Sequence, residues 1–179
     1  TATLARYFVK QAGLDPDKDV RLVSVGGGGE ILGALKSKRA DAAMLFEPFV
    51  TVALQGGIAT MLVDVPEKLD AFSSSPLSTS KAFMTKSPKD AQGVFAALAE
   101  GLTYIHNDKA DTLAIAKKIF ANADAKVLGA AFERLGKYYS PDGHLTRKNV
   151  EQTQAISVDT NIMPKAYPYA DVLLPIARE

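Results

Sequence analysis

Residues 19–48 read DVRLVSVGGGGEILGALKSKRADAAMLFEP, and this stretch decides the predicted fold. Residues 20–25 alternate and are rich in valine, which predicts a strand. Four glycines follow, and residues 30–38 then carry apolar positions at helical spacing and a cationic last turn, which predicts a helix. The short apolar run 41–46 predicts a buried strand that Glu47-Pro48 ends.

The same alternation continues on both sides of this stretch. Residues 3–12 predict a helix that Gly13 ends, residues 49–55 predict another helix, and residues 58–65 predict a third strand. Strands that alternate with helices are typical of a parallel sheet with helices packed on it. The sequence therefore predicts an α/β unit over residues 1–65.

A polar connection at residues 66–76 separates this unit from a chain that is predicted to be mainly helical from Pro88 onward. The clearest apolar stripe lies within residues 127–139. Asp15-Pro16-Asp17 predicts a turn, and Thr146 is a predicted N-cap for a helix over residues 146–161.

Composition excludes several classes of function. The 21 Lys and Arg residues nearly balance 20 Asp and Glu residues, giving a net charge of +1, so no nucleic-acid partner is expected. The chain has no cysteine, which excludes disulfides, zinc–thiolate sites and cysteine nucleophiles. Its histidines, His106 and His144, lie far apart in sequence, so no metal, cofactor or catalytic site is predicted. No apolar run approaches the ~20 residues that span a bilayer.

The four-glycine run is a candidate ligand loop. It matches neither the G-x-G-x-x-G fingerprint nor a P-loop, because Glu30 and Ile31 follow the glycines. A glycine loop between a strand and a helix lets backbone N–H groups approach a ligand at the carboxyl end of the sheet. The alternative is a tight turn without a ligand.

Two other positions are candidates for ligand contact. Glu47, before Pro48, can accept hydrogen bonds from a ligand amine or hydroxyl; alternatively its charge favours the start of the next helix by ~0.3–1 kcal/mol. Thr1 and Thr3, at the start of the first helix, could hold an anion with the free N–H groups there. The alternative for Thr3 is a simple N-cap.

Several motifs together resemble the nitrate/sulfonate/taurine and thiamine-pyrimidine-precursor family of periplasmic binding proteins. They are GLDP with KDV at residues 13–20, the apolar strand ending in glycine at residues 20–26, the helix containing GALK at residues 33–36, and RADAAMLFEP at residues 39–48. The resemblance implies a type II periplasmic-binding fold, in which two α/β domains flank a cleft and close on the ligand about a hinge.

The resemblance also implies a domain division and a binding site. Residues 1–68 would form the second α/β domain, and residues 69–179 the hinge crossing and the mostly helical returning part of the first domain. The implied cleft residues are Thr1, Ala2, Thr3, Gly27, Gly28, Phe46, Glu47 and Pro48.

The resemblance implies the solute-binding component of an ABC importer, located in the periplasm or elsewhere outside the cytoplasm. Its partners would be a small-molecule ligand and a membrane permease. No enzymatic activity is implied. Apolar residues 44–46 beside Glu47 suggest an organic ligand with a polar donor. Two alternatives are an effector-binding domain of a transcription regulator and an enzyme resembling the pyrimidine synthases. The second conflicts with the absence of cysteine and the scattered histidines.

The family's opening β-α-β unit is not found before residue 1, nor is the segment rich in Gly and Ser that precedes the first helix. The sequence therefore predicts a C-terminal fragment of such a protein. In a fragment of this kind, exposed strand edges and apolar faces would invite dimerisation.

Overall fold

Helices provide the regular structure of the chain in the computed structural model, which describes residues 2–173. Ten helices are present in this range. They are α1 (Ala2–Gln11), α2 (Gly28–Lys36), α3 (Phe49–Gln55), α4 (Val65–Lys68), α5 (Lys81–Lys86), α6 (Pro88–Asn107), α7 (Lys109–Ile119), α8 (Ala125–Leu135), α9 (Arg147–Asp159) and α10 (Tyr169–Val172). None of them is long and apolar enough to cross a membrane.

The predicted α/β, type II periplasmic-binding fold is wrong for the described residues. Segments 20–25, 41–46 and 58–64 are extended or irregular and form no strand, and a single bridge position, Leu145, is the only β feature between residues 2 and 173. The helical second half was predicted; the parallel sheet that should hold the first half together was not found.

The physical reason lies in what a strand requires. Alternating β-branched residues indicate a chain that fits a half-buried pleated surface, but the surface itself must come from neighbouring strands. In the structure Leu22 and Val23, at successive positions of the first predicted strand, are both exposed. Neither face of this segment is buried against a partner, so the periodicity produces an extended chain without a ladder.

Local helix signals, by contrast, are confirmed. Helix α1 ends near Gly13, whose φ of 78° is the left-handed conformation common after a helix. Helix α3 has the predicted bounds. Thr146 is the N-cap of α9: its hydroxyl accepts a hydrogen bond from Asn149 N, while the Asn149 side chain accepts one from Thr146 N, forming a capping box.

Helix α9 contributes to a core of buried apolar side chains. Its residue Ile156 is buried together with Leu4 of α1 and Leu69, which follows α4. Five partly buried side chains pack against these three: Tyr7, Phe8, Met44, Val65 and Phe72. Elsewhere α8 packs against α3 and α7, and α6 packs against α5 and α7. Helices from both halves of the chain therefore bury one another's apolar faces.

Polar side chains of α9 fasten segments that lack regular structure. Gln152 Oε1 accepts a hydrogen bond from Ala71 N at 3.1 Å, and Thr153 Oγ1 accepts one from Ser73 N at 2.9 Å. These bonds satisfy backbone donors in the connection that follows α4, which has no regular structure of its own.

The buried amide of Gln154 holds the chain after α9. Its Nε2 donates to Tyr167 O at 3.0 Å, and its Oε1 accepts from Tyr167 N at 2.7 Å. One side-chain amide thereby satisfies both backbone groups of Tyr167, as a neighbouring strand would.

Gln154→Ala should therefore destabilise the protein. The substitution leaves the Tyr167 N–H and C=O without these partners, at a cost of about 1–3 kcal/mol. Gln92→Ala, at an exposed position of α6, is the matched control and should change stability by less than about 0.5 kcal/mol. Urea unfolding of both variants measures the difference; equal midpoints would show that the Gln154 amide contributes nothing.

Candidate functional site

The glycine loop and the Glu-Pro segment meet at one corner of the molecule, where α2 packs against α3. Gly28, the first residue of α2, is buried beneath the Phe49 ring: a Cβ built on Gly28 would lie 2.1 Å from Phe49 Cδ2. Phe46 packs edge-on against the same ring, with centroids 5.5 Å apart. Phe49 thus joins the two segments, and Gly28 is required because nothing larger fits under the ring.

Glu30 covers the preceding glycines. A Cβ on Gly26 would lie 3.3 Å from Glu30 Cγ, and one on Gly27 would lie 3.2 Å from Glu30 Oε2. Gly26 also has a φ of 107°, which side chains rarely adopt. A carboxylate in the first turn of α2 complements the positive end of the helix. An anionic ligand at this loop would meet the charge of Glu30.

The carboxylate of Glu47 is engaged at both oxygens. Its Oε2 accepts hydrogen bonds from Thr51 N at 3.1 Å and Thr51 Oγ1 at 2.7 Å, and its Oε1 accepts one from Arg134 Nε at 2.7 Å. The Glu47 side chain is only 7% exposed. Glu47 therefore satisfies a backbone donor in the first turn of α3, which was the alternative interpretation of this residue, and also forms an ion pair.

Arg134 extends this pair into a network. Its Nη2 donates to Asp64 Oδ2 at 2.8 Å, so one guanidinium bridges two carboxylates. We call Arg134, Glu47 and Asp64 the Arg134 clasp. Partial burial lowers the pKa of the Arg134 guanidinium, but the hydrogen bonds to Asp64 and Glu47 outweigh this effect and hold the pKa above its ordinary value. Arg134 is therefore a permanent cation.

Sequence reasoning missed Arg134 and Asp64. They are 70 residues apart, and Arg134 is 87 residues from Glu47. Arg134 lies in the apolar stripe of α8, and a charged residue within such a stripe is the only local signal of a buried partner. Asp64 falls within the predicted strand over residues 58–65; in the structure it immediately precedes α4, and its side chain makes no capping hydrogen bond.

The predicted site residues are brought together only in part. Gly27, Gly28, Phe46, Glu47 and Pro48 share the corner, and the Glu47–Pro48 peptide bond is cis.

The remaining predicted residues belong to α1. Ala2 is exposed and Thr3 is half-buried within the helix, so Thr3 is not its N-cap. Leu4 packs in the same core as Met44, which places the start of α1 near the chain that leads into the corner. Thr1 lies outside the described residues.

Two other features of the described residues bear on function. Among residues 2–173, no group of three or more His, Asp or Glu side chains could hold a metal ion. A shallow depression of about 610 Å³ lies beside the loop that contains Asp142 and His144. One carboxylate that lines it is committed within the loop, because Asp142 Oδ1 accepts hydrogen bonds from Ser140 Oγ and His144 N, both at 3.0 Å.

Gly28→Ala should destabilise the corner. The added methyl group overlaps the Phe49 ring, and such overpacking costs about 1–3 kcal/mol. Gly29→Ala is the matched control in the same turn of α2: its Cβ meets no atom within 4 Å, so alanine should be neutral or add up to about 1 kcal/mol. Thermal unfolding of both variants tests this, and a Gly28→Ala variant as stable as Gly29→Ala would contradict the packing described.

Glu47→Gln should break the Arg134 clasp. Breaking a buried ion pair costs about 3–5 kcal/mol, and the partial exposure of Arg134 reduces our expectation to about 2–3 kcal/mol. The control is Glu133→Gln, which removes an exposed pair with Lys109 at 3.4 Å and should cost less than about 0.5 kcal/mol. If denaturant unfolding gives similar losses for the two variants, the clasp does not stabilise the fold.

Comparison with known proteins agrees with the motifs. The profile of the NMT1-like family matches residues 1–121. The Bacillus subtilis (strain 168) protein named "Putative binding protein YtlA" is 25% identical over 169 residues, which are 93% of this chain and 51% of that protein. The chain thus spans about half the length of this relative. No solved structure matches the chain.

The family profile covers well over half of the 179 residues. This confirms the predicted relationship to the binding proteins of the nitrate/sulfonate/taurine type. The chain belongs to the NMT1-like family.

Proposed function

We propose that the chain acts as the solute-binding component of an ABC importer, outside the cytoplasm, and that a membrane permease is its partner. Membership of the NMT1-like family and the similarity to a relative named as a binding protein support a solute-binding role. The same relationships point to a binding protein rather than an enzyme.

The corner of α2 and α3 is the proposed binding surface. The observation that carries this proposal is the exposed Phe46 ring, 53% accessible, which lies next to Glu47 and packs on the Phe49 ring that covers Gly28. An exposed aromatic ring beside a polar group is a common way to hold a small organic molecule. Contact by Gly27 and Pro48 belongs to this proposal, while contact by Thr1, Ala2 and Thr3 stays a prediction.

The charges around the corner favour a ligand with hydrogen-bond donors. Glu30 covers the glycine loop, and Glu47 with Asp64 outnumbers the single charge of Arg134. The net negative charge of these side chains repels an anion and attracts an amine or a protonated planar nitrogen base. These features support an organic molecule with a polar donor as the solute class.

A thermal-shift screen tests the proposal. The chain is mixed with amines, amidines and pyrimidines, and with sulfonates, carboxylates and aromatic acids. A ligand at 100 times its Kd should add about 2.7 kcal/mol of stability.

Phe46→Ala should weaken the response, because it removes the exposed ring. Phe83→Ala, an exposed phenylalanine on α5, is the control and should leave the response unchanged. If no compound stabilises the protein, the proposed solute-binding role is wrong.

A further inference from the structure

The Arg134 clasp has two carboxylates and one guanidinium, so negative charge exceeds positive charge by one. Glu47 and Asp64 each face the same guanidinium, through single hydrogen bonds of 2.7 and 2.8 Å. Asp64 Oδ1 is shielded from solvent and accepts no hydrogen bond from any described residue. A buried carboxylate oxygen without a donor is costly, so the network lacks one donor group.

Arg134 is the most exposed member of the clasp. Its side chain is 31% exposed, compared with 7% for Glu47 and 13% for Asp64. Arg134 can therefore turn toward water without crossing the core, whereas the Glu47 carboxylate is almost fully enclosed.

We propose that Arg134 is an autoinhibitory contact, an inference that rests on the proposed function. Its guanidinium occupies the Glu47 and Asp64 carboxylates in place of a cationic ligand, and the ligand binds by displacing the guanidinium. The exchange keeps both buried carboxylates paired, which removal of Arg134 alone would not do. Arg134 is thus a gating residue for the corner, and Asp64 is a second acceptor for the ligand.

The geometry also defines the class of ligand. A group that replaces a guanidinium bridging two carboxylates carries a positive charge and several coplanar N–H donors, as amidines, guanidines and protonated amino-heterocycles do. The exposed Phe46 ring offers an apolar surface to the remainder of such a molecule. A flat aromatic cation therefore fits the corner better than an alkylammonium ion.

Benzamidine, an aromatic amidinium, is the probe for this proposal. When an intramolecular group blocks a site, the apparent affinity falls by the fraction of molecules in which the site is open. Arg134→Gln removes the competing cation, so its Kd for benzamidine should be at least about tenfold lower than that of the wild type. Isothermal titration calorimetry measures both constants, with far-UV circular dichroism to verify folding.

Two further variants define the site. Arg147→Gln removes an exposed arginine that pairs with Glu151 and should bind benzamidine as the wild type does. The double variant Glu47→Gln/Arg134→Gln should lose the tighter benzamidine binding expected of Arg134→Gln. The proposal is overturned if Arg134→Gln binds no tighter than the wild type, or if the double variant binds as tightly as Arg134→Gln.

A measurement on the wild type does not depend on how the variants fold. The Arg134 Nε–H, bonded to Glu47, gives a signal in ¹⁵N-arginine NMR spectra that saturating benzamidine should shift or broaden, while the Arg6 signals, from the pair with Asp17, should stay unchanged. An Arg134 signal that does not respond overturns the proposal. If a solute from the screen still stabilises the protein in that case, solute binding stands without the gate; if none does, both ideas fail.

Discussion

The guanidinium of Arg134, held between the carboxylates of Glu47 and Asp64, ties together three segments that lie far apart in the sequence. Glu47 precedes α3, Asp64 precedes α4, and Arg134 lies in the last turn of α8. Since α3 and α8 pack against each other, the clasp lies where an apolar contact brings the two halves of the chain together. Two buried carboxylates would oppose this packing if the cation were absent.

The same constraint links stability with binding. The corner is formed by local features, namely the glycines that begin α2, the Phe49 ring above Gly28 and the segment around Pro48. Its polar group, however, is committed to a partner from a distant helix. A carboxylate that is paired within the fold binds a solute only by exchanging partners, so the free energy of the clasp is subtracted from the affinity of any ligand that uses Glu47.

The sequence was a good guide wherever a feature depends on nearby residues. Gly13 after α1, Thr146 before α9 and the bounds of α3 follow from capping and periodicity within a single helix. The three predicted strands failed because a strand needs partners that no local pattern supplies. Leu22 and Val23 of the first predicted strand, for example, are both exposed and pair with no neighbouring strand among the described residues. The division into residues 1–68 and 69–179 stays a prediction.

The candidate site shows the same contrast. The motif around Glu47-Pro48 identified the corner and the family, but it gave no indication of Arg134, which is 87 residues away. Gly28 was predicted to approach a ligand, whereas the structure places an aromatic ring on it. Only the folded chain shows which groups are already occupied.

A double-mutant cycle between Glu47 and Arg134 tests the central claim most directly. The unfolding free energies of the wild type, Glu47→Gln, Arg134→Gln and the double variant give the coupling between the two side chains. If the clasp exists as described, the coupling should exceed about 1 kcal/mol, within the range found for contacting residues. Additivity to within about 0.3–0.5 kcal/mol, as for independent sites, would contradict the account.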